Sequence, residues 1–582
     1  MKKIFLLLSV IAAFSILLNA DIRSNTSSSS IFRLHILHVN DTHSHVDPTK
    51  ISVKFQGIKT YVYTGGYAKL AKYLNDEKKI DSHVLTLHAG DVVQGTLYYN
   101  LFGGEVGVRA FNKMHIDAYV LGNHAFDRGE KNLEENFVSK VDAPVLSANT
   151  IVSDKDKALK HAIKPYIIKV IDGKKIAIIG LSVDSSKLSS PGPTISFANY
   201  LDVAKKMVER VKKVEGVNKI IALTHLGYDT DKVLASSVPD IDIIVGGHSH
   251  TLIGDFSNLG LHSAGNYPTV ISHNGTKTLI VTAWKWEKVV GNLNVIFDKD
   301  GRVIRYYGTP VMLLSDKFLR KDAHWKKTEV NASEKIKIED MISSMPNIKI
   351  QKPQIDVENL IKRYKPKVQE LMKSVIGRAT INLTNERLPR ATVDESGQIL
   401  KQGSLIAPIV AKAMYLKAKK IARVDFAMQN AGGIRVAIPQ GDVSVGEIMQ
   451  MLPFGNRLVI LSMSGKDIKD MFEQAIQRSY IKKSNTGAFP YLANAKLVID
   501  YKKSPGKRVR EFKIKKDGFW IDLRRDEIYR IATNSYIANG GDYYTQMSAK
   551  ALNKYDTGFV CSDLFINYTK RVKVLSPASS GD

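Results

Sequence analysis

Cysteine is almost missing: Cys561 stands alone among 582 residues. That excludes an internal disulfide, so an oxidising compartment is permitted but not required, and any metal site has to be assembled from Asp, Asn and His. Long apolar runs are also missing after the first twenty residues, and no later segment has the length and apolarity of a membrane span. Acidic residues are in deficit, 57 Asp and Glu against 84 Lys and Arg, for a formal charge of +27. Such a surplus suits anionic substrates, nucleic acid or anionic lipid. The basic residues nevertheless fall in short, separated groups (Lys417 to Lys420, Lys482 and Lys483, Lys502 to Arg510), as on a solvated surface, and no specific nucleic-acid partner is expected. With 44% hydrophobic and 24% charged residues the chain is globular in composition, and its length calls for two or more domains.

What is present begins with Met1 to Ala20, two lysines followed by IFLLLSVIAAFSILL and a small residue, the pattern of a cleaved signal peptide. Cleavage is expected after Ala20, which makes the protein periplasmic or secreted. No cysteine lies near that position, so a lipid anchor is not expected. Residues 21–30 are Ser/Asn-rich and read as a flexible leader. From Ile31 to Leu313, apolar strands alternate with helical stretches such as Gly66 to Glu77 and Asn199 to Val214, which predicts a layered α/β domain with a hairpin turn at Asp298 to Arg302. Residues 314–352 are polar and Lys-rich without clear period, and read as an insertion. Over Val357 to Ser374, apolar residues recur every three or four positions and predict a single helix. A second domain is expected over 375–574, with strands at Arg423 to Met428, Arg457 to Met463 and Ile528 to Thr533, and a tail over 575–582. There is no internal repeat.

Five stretches of the first domain share one design, an apolar strand closed by ligand-type residues: LHILHVNDTH with Asp41 and His43, LTLHAGD with Asp91, AYVLGNHAFD with Asn123, His124 and Asp127, IALTHLG with His225, and DIIVGGHSH with His248 and His250. Hard oxygen and borderline nitrogen donors would thus emerge together at carboxyl ends of strands, where an open α/β sheet keeps its active site. A mixed nitrogen and oxygen set suits zinc, manganese, iron or cobalt better than calcium.

In that order the motifs resemble the signature of the calcineurin-like dinuclear metallophosphoesterases. A C-terminal set narrows the resemblance to the exported 5′-nucleotidase family, which includes UDP-sugar hydrolases and 2′,3′-cyclic-nucleotide phosphodiesterases: QNAGGIRVAIPQGDVSVGEIMQMLPFGN over Gln429 to Asn456 and TNSYIANGGDYY over Thr533 to Tyr544. The resemblance implies a four-layer αββα sandwich joined by a helix to a smaller α+β domain. It implies Asp91 as the bridge between two divalent cations, with Asp41, His43 and His250 completing one and Asn123, His225 and His248 the other. His124, held by Asp127, would stabilise transition-state charge or protonate the leaving oxygen. Phe454 and Tyr536 fall where the family sandwiches a nucleobase, Asp542 where it binds the ribose, Asn430 and Gly433 beside the nucleoside, and Arg435 on the phosphate, with Arg387 or Arg390 as a second phosphate contact. The chain departs from the pattern at His250, which is Gln or Asn in part of the family, at Ala125 in place of Glu, and at Pro408 where an Asp is usual. The activity implied is a 5′-nucleotidase that scavenges nucleosides by attack of metal-activated water. The alternatives are a 2′,3′-cyclic phosphodiesterase with 3′-nucleotidase activity, a UDP-sugar hydrolase, and a non-catalytic basic envelope-binding protein.

Overall fold

A computed structural model describes residues 31–126, 129–183, 194–322, 326–389, 403–482 and 485–577, and the chain divides into two compact units, Met1–Ile361 and Lys362–Asp582. The signal and leader segments, Asp127 and Arg390 lie outside the described residues. No described helix is long and apolar enough to cross a membrane.

In the first unit the strands that carry the site are β1 (Phe32–Val39), β2 (Val84–His88), β3 (Ala118–Val120), β4 (Lys174–Ser182), β5 (Ile220–His225), β6 (Ile243–Gly246), β7 (Lys277–Val281) and β8 (Val289–Phe297). One sheet carries β8, β1, β2 and β3 side by side, with β1 to β3 parallel and β8 antiparallel. A second sheet carries β4 to β7, all parallel. Alternation decides which side chains face inward. Leu34 and Ile36 of β1, Leu85 and Leu87 of β2 and Val295 of β8 share one core with Ile178 of β4, Leu223 of β5, Val245 of β6 and Leu279 of β7. The two sheets therefore lie face to face.

Helices cover their outer faces. On the first sheet α1 (Tyr67–Ile80) receives a hydrogen bond from Asn292 Nδ2 of β8 to its Tyr73 hydroxyl, 3.4 Å. On the second, α2 (Tyr200–Lys213) buries Ala204, Val208 and Val211, three and four residues apart, against Ile179 and Ala222. Asn199 caps α2 by accepting from the amides of Leu201 and Asp202. The expected αββα layering is present.

Residues 314–350 are more regular than their polarity predicts. They contribute to a strand over Val311–Lys321, a helix over Ala332–Ser343 and a strand over Ile348–Ile350, both strands belonging to the larger sheet. Their few apolar residues, Phe318, Ile338, Ile342 and Ile348, join one core with Val53, Phe55 and Val62. The single helix expected over 357–374 is instead two, Ile355–Lys362 and Lys365–Lys373. The cause is Pro366 in the first turn of the second helix: its ring disfavours helical backbone before it and it has no N–H to continue the ladder.

The second unit is built on β9 (Phe426–Asn430), β10 (Arg457–Ser464), β11 (Pro490–Ala493), β12 (Ala495–Ile499), β13 (Val509–Lys516), β14 (Phe519–Asp522), β15 (Ile528–Asn534) and β16 (Asn553–Val560). One sheet has the order β11-β9-β15-β10-β16 and another β12-β13-β14, beside a small third sheet of Gly441–Ser444, Val375–Ala379 and Val574–Leu575. Because β9 and β15 are parallel neighbours, their carboxyl ends, Asn430 and Asn534, meet at one edge. Asn534 Nδ2 donates to Asn430 Oδ1 at 2.9 Å. That pairing brings together two motifs a hundred residues apart.

Candidate functional site

Parallel strand order places the carboxyl ends of β1, β2, β3, β5 and β6 together, and the chain continues from each into a ligand-type residue. Of the seven positions expected to bind metal, Asp41, His43, Asp91, Asn123, His225 and His248 are joined to one another, and His250 closes the set. His43 Nε2 and His250 Nε2 are 2.9 Å apart, and Asp41 Oδ1 lies 3.2 Å from His250 Nε2 and 3.7 Å from His43 Nε2. Asp91 Oδ2 lies 3.0 Å from His225 Nε2 and 3.8 Å from His43 Nε2. His248 Nδ1 is 3.0 Å from Asn123 Oδ1. Asp41 is hydrogen-bonded across the cluster, its Oδ2 accepting from the His248 amide at 2.9 Å.

These atoms form three overlapping groups that could hold a cation: Asp41 with His43 and His250, Asp91 with His225 and His248, and His43 with Asp91 and His124. His124 therefore sits within the cluster, its ring edge-on to His43 at 5.4 Å between centroids and its amide donating to Asp91 Oδ1 at 3.1 Å. Asp127, the expected partner of its imidazole, is outside the described residues.

The donor set fits divalent metal on physical grounds. His225 Nδ1 lies 2.8 Å from the Ala89 carbonyl, an acceptor that fixes a hydrogen on Nδ1 and turns Nε2 toward Asp91. That Nε2 is buried beside the carboxylate, where a divalent cation would take the place of the proton. Two imidazole nitrogens 2.9 Å apart, both close to the Asp41 carboxylate, are the kind of donor set that converges on a positive centre.

Backbone conformation points the same way. Asp41, His43, Asp91, His248 and His250 all have positive φ, between 48° and 76°. This left-handed region is disfavoured for residues with a Cβ, and its concentration in one cluster marks strain held at a functional site. Glycine is required close by: a Cβ at Gly122 would overlap the Asp91 carboxylate, and one at Gly246 would overlap Asp231 Oδ2. Asp231 accepts from Thr224 Oγ1 at 2.7 Å, beside His225.

The electrostatics are those of mutually stabilised opposite charges. Burial favours the neutral acid at Asp41, but His250 and His43 outweigh it and hold the carboxyl well below the ordinary range. At Asp91 burial is likewise outweighed, by His225, His124 and His43. Burial opposes charge on His225, yet the Asp91 carboxylate lifts its pKa to about 9.

A prediction follows for chelated protein. A raised folded pKa makes the His225 contribution to stability complete below pH 6.5, its unfolded value, and lost as pH rises through about 9. The two acids, held low, contribute throughout that window and lose their contribution only under acid. The thermal midpoint in EDTA is therefore expected to fall between pH 6.5 and 9, and added metal, which requires unprotonated imidazole, should remove the slope. A flat midpoint in EDTA would contradict this pairing.

Three buried histidines of the first unit outside the cluster hold hydrogen bonds within the fold. His35 Nε2 is 2.9 Å from Asn292 Oδ1, His38 Nε2 2.9 Å from the Tyr267 hydroxyl, and His88 Nε2 3.2 Å from Thr42 Oγ1.

The second unit gathers the other expected residues at the edge where β9 and β15 end. Asp542, at φ 51°, accepts from Asn430 Nδ2 at 2.7 Å and faces the Tyr536 hydroxyl at 3.2 Å. Arg435 Nη1 donates to the Gly432 carbonyl at 3.1 Å and its guanidinium lies over the Phe454 ring at 5.4 Å. Phe454 and Tyr536 are 48% and 47% exposed, so part of each ring is open to a ligand. A Cβ at Gly433 would overlap Gln429 Nε2 and press on Asn430, so glycine there keeps the edge compact. Arg387 Nη1 donates to Thr486 Oγ1 at 3.3 Å.

Asn485 and Thr486 were not among the expected residues. Asn485 Nδ2 donates to Asp542 Oδ1 at 2.9 Å. The available signal was the Asn-Thr-Gly turn before β11, in which Asn485 accepts from the Gly487 amide.

Two facing sheets with helices outside, and Asp, Asn and His gathered at strand ends, define a metal-dependent phosphoesterase. The calcineurin-like phosphoesterase family matches residues 34–252, and the 5′-nucleotidase C-terminal domain matches 375–549. The chain is 34% identical over 555 residues to the NAD 5′-nucleotidase of Haemophilus influenzae, covering 92% of this chain and 90% of that protein. It is 33% identical to the probable 5′-nucleotidase of Treponema pallidum, covering 90% and 88%. The solved NAD nucleotidase of H. influenzae superposes with a TM-score of 0.81 at 32% identity, covering 95% and 98%, and a 5′-nucleotidase precursor of Thermus thermophilus with 0.57 at 32%, covering 94% and 98%. The chain belongs to the 5′-nucleotidase family, as a hydrolase acting on phosphoesters. Its metallophosphoesterase domain implies divalent metal ions, for which the described residues hold the three groups above.

Proposed function

We propose that the protein is an exported 5′-nucleotidase that releases phosphate from nucleotides with two divalent cations. The observation that carries this reading is the sharing of Asp91: its carboxylate lies between His225 of one ligand group and His43, which touches the other. One cation would be held by Asp41, His43, Asp91 and His250, and the other by Asp91, Asn123, His225 and His248. Such a pair, when bound, neutralises phosphate charge and supplies a nucleophile at neutral pH. Zinc, manganese, iron or cobalt suits the donors.

The chain's own residues do the rest. His124 stands beside the ligands to protonate or stabilise the leaving oxygen, with Asp127 as its partner. Arg435 and Arg387, both of the second unit, offer planar forks for phosphate oxygens. Phe454 and Tyr536 present ring faces for a base, with stacking worth about 1–3 kcal/mol and little base selectivity. Asp542, placed by Asn430 and Asn485, accepts from ribose hydroxyls, and Gly433 leaves room beside the nucleoside. Export is supported by the charged and apolar pattern of Met1 to Ala20.

The test is a panel of AMP, 3′-AMP, 2′,3′-cyclic AMP, UDP-glucose, NAD and an aryl phosphate, assayed with each candidate metal. AMP is expected to show the highest kcat/KM. A higher value for the cyclic ester would replace this reading with the 2′,3′-cyclic phosphodiesterase, and for UDP-glucose with the sugar-nucleotide hydrolase. The name of the Haemophilus relative supports including NAD, whose hydrolysis beside AMP would extend the reading to dinucleotides.

A further inference from the structure

A groove of about 950 Å³ in the second unit runs along the outer strands of both sheets, and every residue from Phe489 to Lys502 lines it. A cavity bordered by an unbroken run of chain follows a strand's backbone edge rather than one face of its side chains. β11 is an outer strand of its sheet and β12 of its own, and among the described residues no strand pairs with the far side of either. The phase of the edge follows from the pairing with β13. The Lys515 amide donates to the Asn494 carbonyl at 3.1 Å, and opposed residues alternate between bonded and non-bonded pairs. Lys496 and Val498 therefore bond to β13, and the N–H and C=O groups of Ala495 and Leu497 point away from it, into the groove.

The opposite wall is helix α3 (Ile406–Ala418), which contributes Lys412 and Tyr415. Cations outnumber anions along the lining: Lys412, Lys496 and Lys502 against Asp500. Aromatic rings are present but already engaged. Tyr501 is stacked on Tyr480 with centroids 3.6 Å apart, and the Trp520 ring is covered by Lys496 Nζ at 4.1 Å. What the groove offers is a row of outward backbone groups between positive side chains, not a platform for bases. Unpaired edges of this kind are templates for another strand.

We propose that this groove receives an extended acidic segment of a partner polypeptide, which adds as a strand along β12 with its carboxylates beside Lys412, Lys496 and Lys502. Main-chain hydrogen bonds would supply affinity and the lysines the choice of sign. With β12 five residues long, about 17 Å, a segment of five to eight residues spans the edge.

The experiment uses the intact protein and a fluorescein-labelled octapeptide of alternating Glu and Val, read by anisotropy at low salt. Saturable binding is expected, weakened at least tenfold by N-methylating alternate residues of the peptide and at least tenfold by Lys412→Glu combined with Lys496→Glu, with AMP hydrolysis by that variant unchanged. The N-methylated probe tests the unmodified protein, so the result does not depend on the variant folding. Absence of binding, indifference to N-methylation, or equal affinity for a Lys/Val octapeptide would overturn the proposal. Preferential binding of an eight-residue oligothymidylate, lost in the double variant, would instead make the groove a nucleic-acid surface.

Discussion

Asp91→Ala is expected to lower hydrolysis of AMP at least ~10³-fold, equivalent to ~4 kcal/mol of transition-state stabilisation, and to reduce bound metal. Asp91 is the residue common to two of the ligand groups, with His225 at 3.0 Å and His43 at 3.8 Å from one oxygen and the His124 amide on the other. Without its carboxylate the buried imidazole of His225 loses the charge that raises its pKa, and no shared anion would offset the two cations we propose. Asp91→Asn keeps the volume and the acceptor toward His124 while removing the charge, so it should lose activity nearly as fully. Metal content and kcat measured together separate the causes. Wild-type rates in the Asn variant would show that the negative charge is not what joins the cations.

Phe454→Ala with Tyr536→Ala is expected to lower kcat/KM for AMP by ~30- to 10⁴-fold, the sum of two stacking contributions of about 1–3 kcal/mol each, while leaving an aryl phosphate nearly unaffected. Both rings are half exposed beside Arg435 and Asp542, and neither belongs to the hydrophobic core. Their loss should remove binding of the base without disturbing folding. Tyr536→Phe keeps the ring and gives up only the hydroxyl's contact with Asp542, so it should retain most activity. An equal fall on both substrates would place these rings in the chemistry or in the stability of the unit rather than in base recognition.

The metal cluster was legible because its signals are local. Each ligand follows an apolar strand within a few residues, and strand ends are where a parallel sheet leaves side chains without strand partners. The aromatic and acidic residues of the second unit were legible through Gly-rich blocks for a similar reason: turns that need positive φ, such as Gly540, advertise themselves in sequence. Asn485 was not, since its role depends on the hydrogen bond to Asp542, 57 residues later. The order in residues 314–350 escaped because their buried apolar residues, Leu314, Phe318, Ile338, Ile342 and Ile348, are widely spaced; the core they join is completed by Val53, Phe55 and Val62, far earlier in the chain.

By itself, then, the amino-acid order determined the succession of strands and helices, the outward polar ends that carry Asp, Asn and His, and the family to which such an order belongs. Those properties arise from side-chain periodicity and turn chemistry acting over a few residues. Only the tertiary structure decided that Asp41 receives the amide of His248, that five ligand-type residues adopt left-handed backbone, and that β12 is, among the described residues, an outer strand of its sheet. Each depends on which strands become neighbours, a choice made by the burial of whole sheet faces against one another and not by any segment alone.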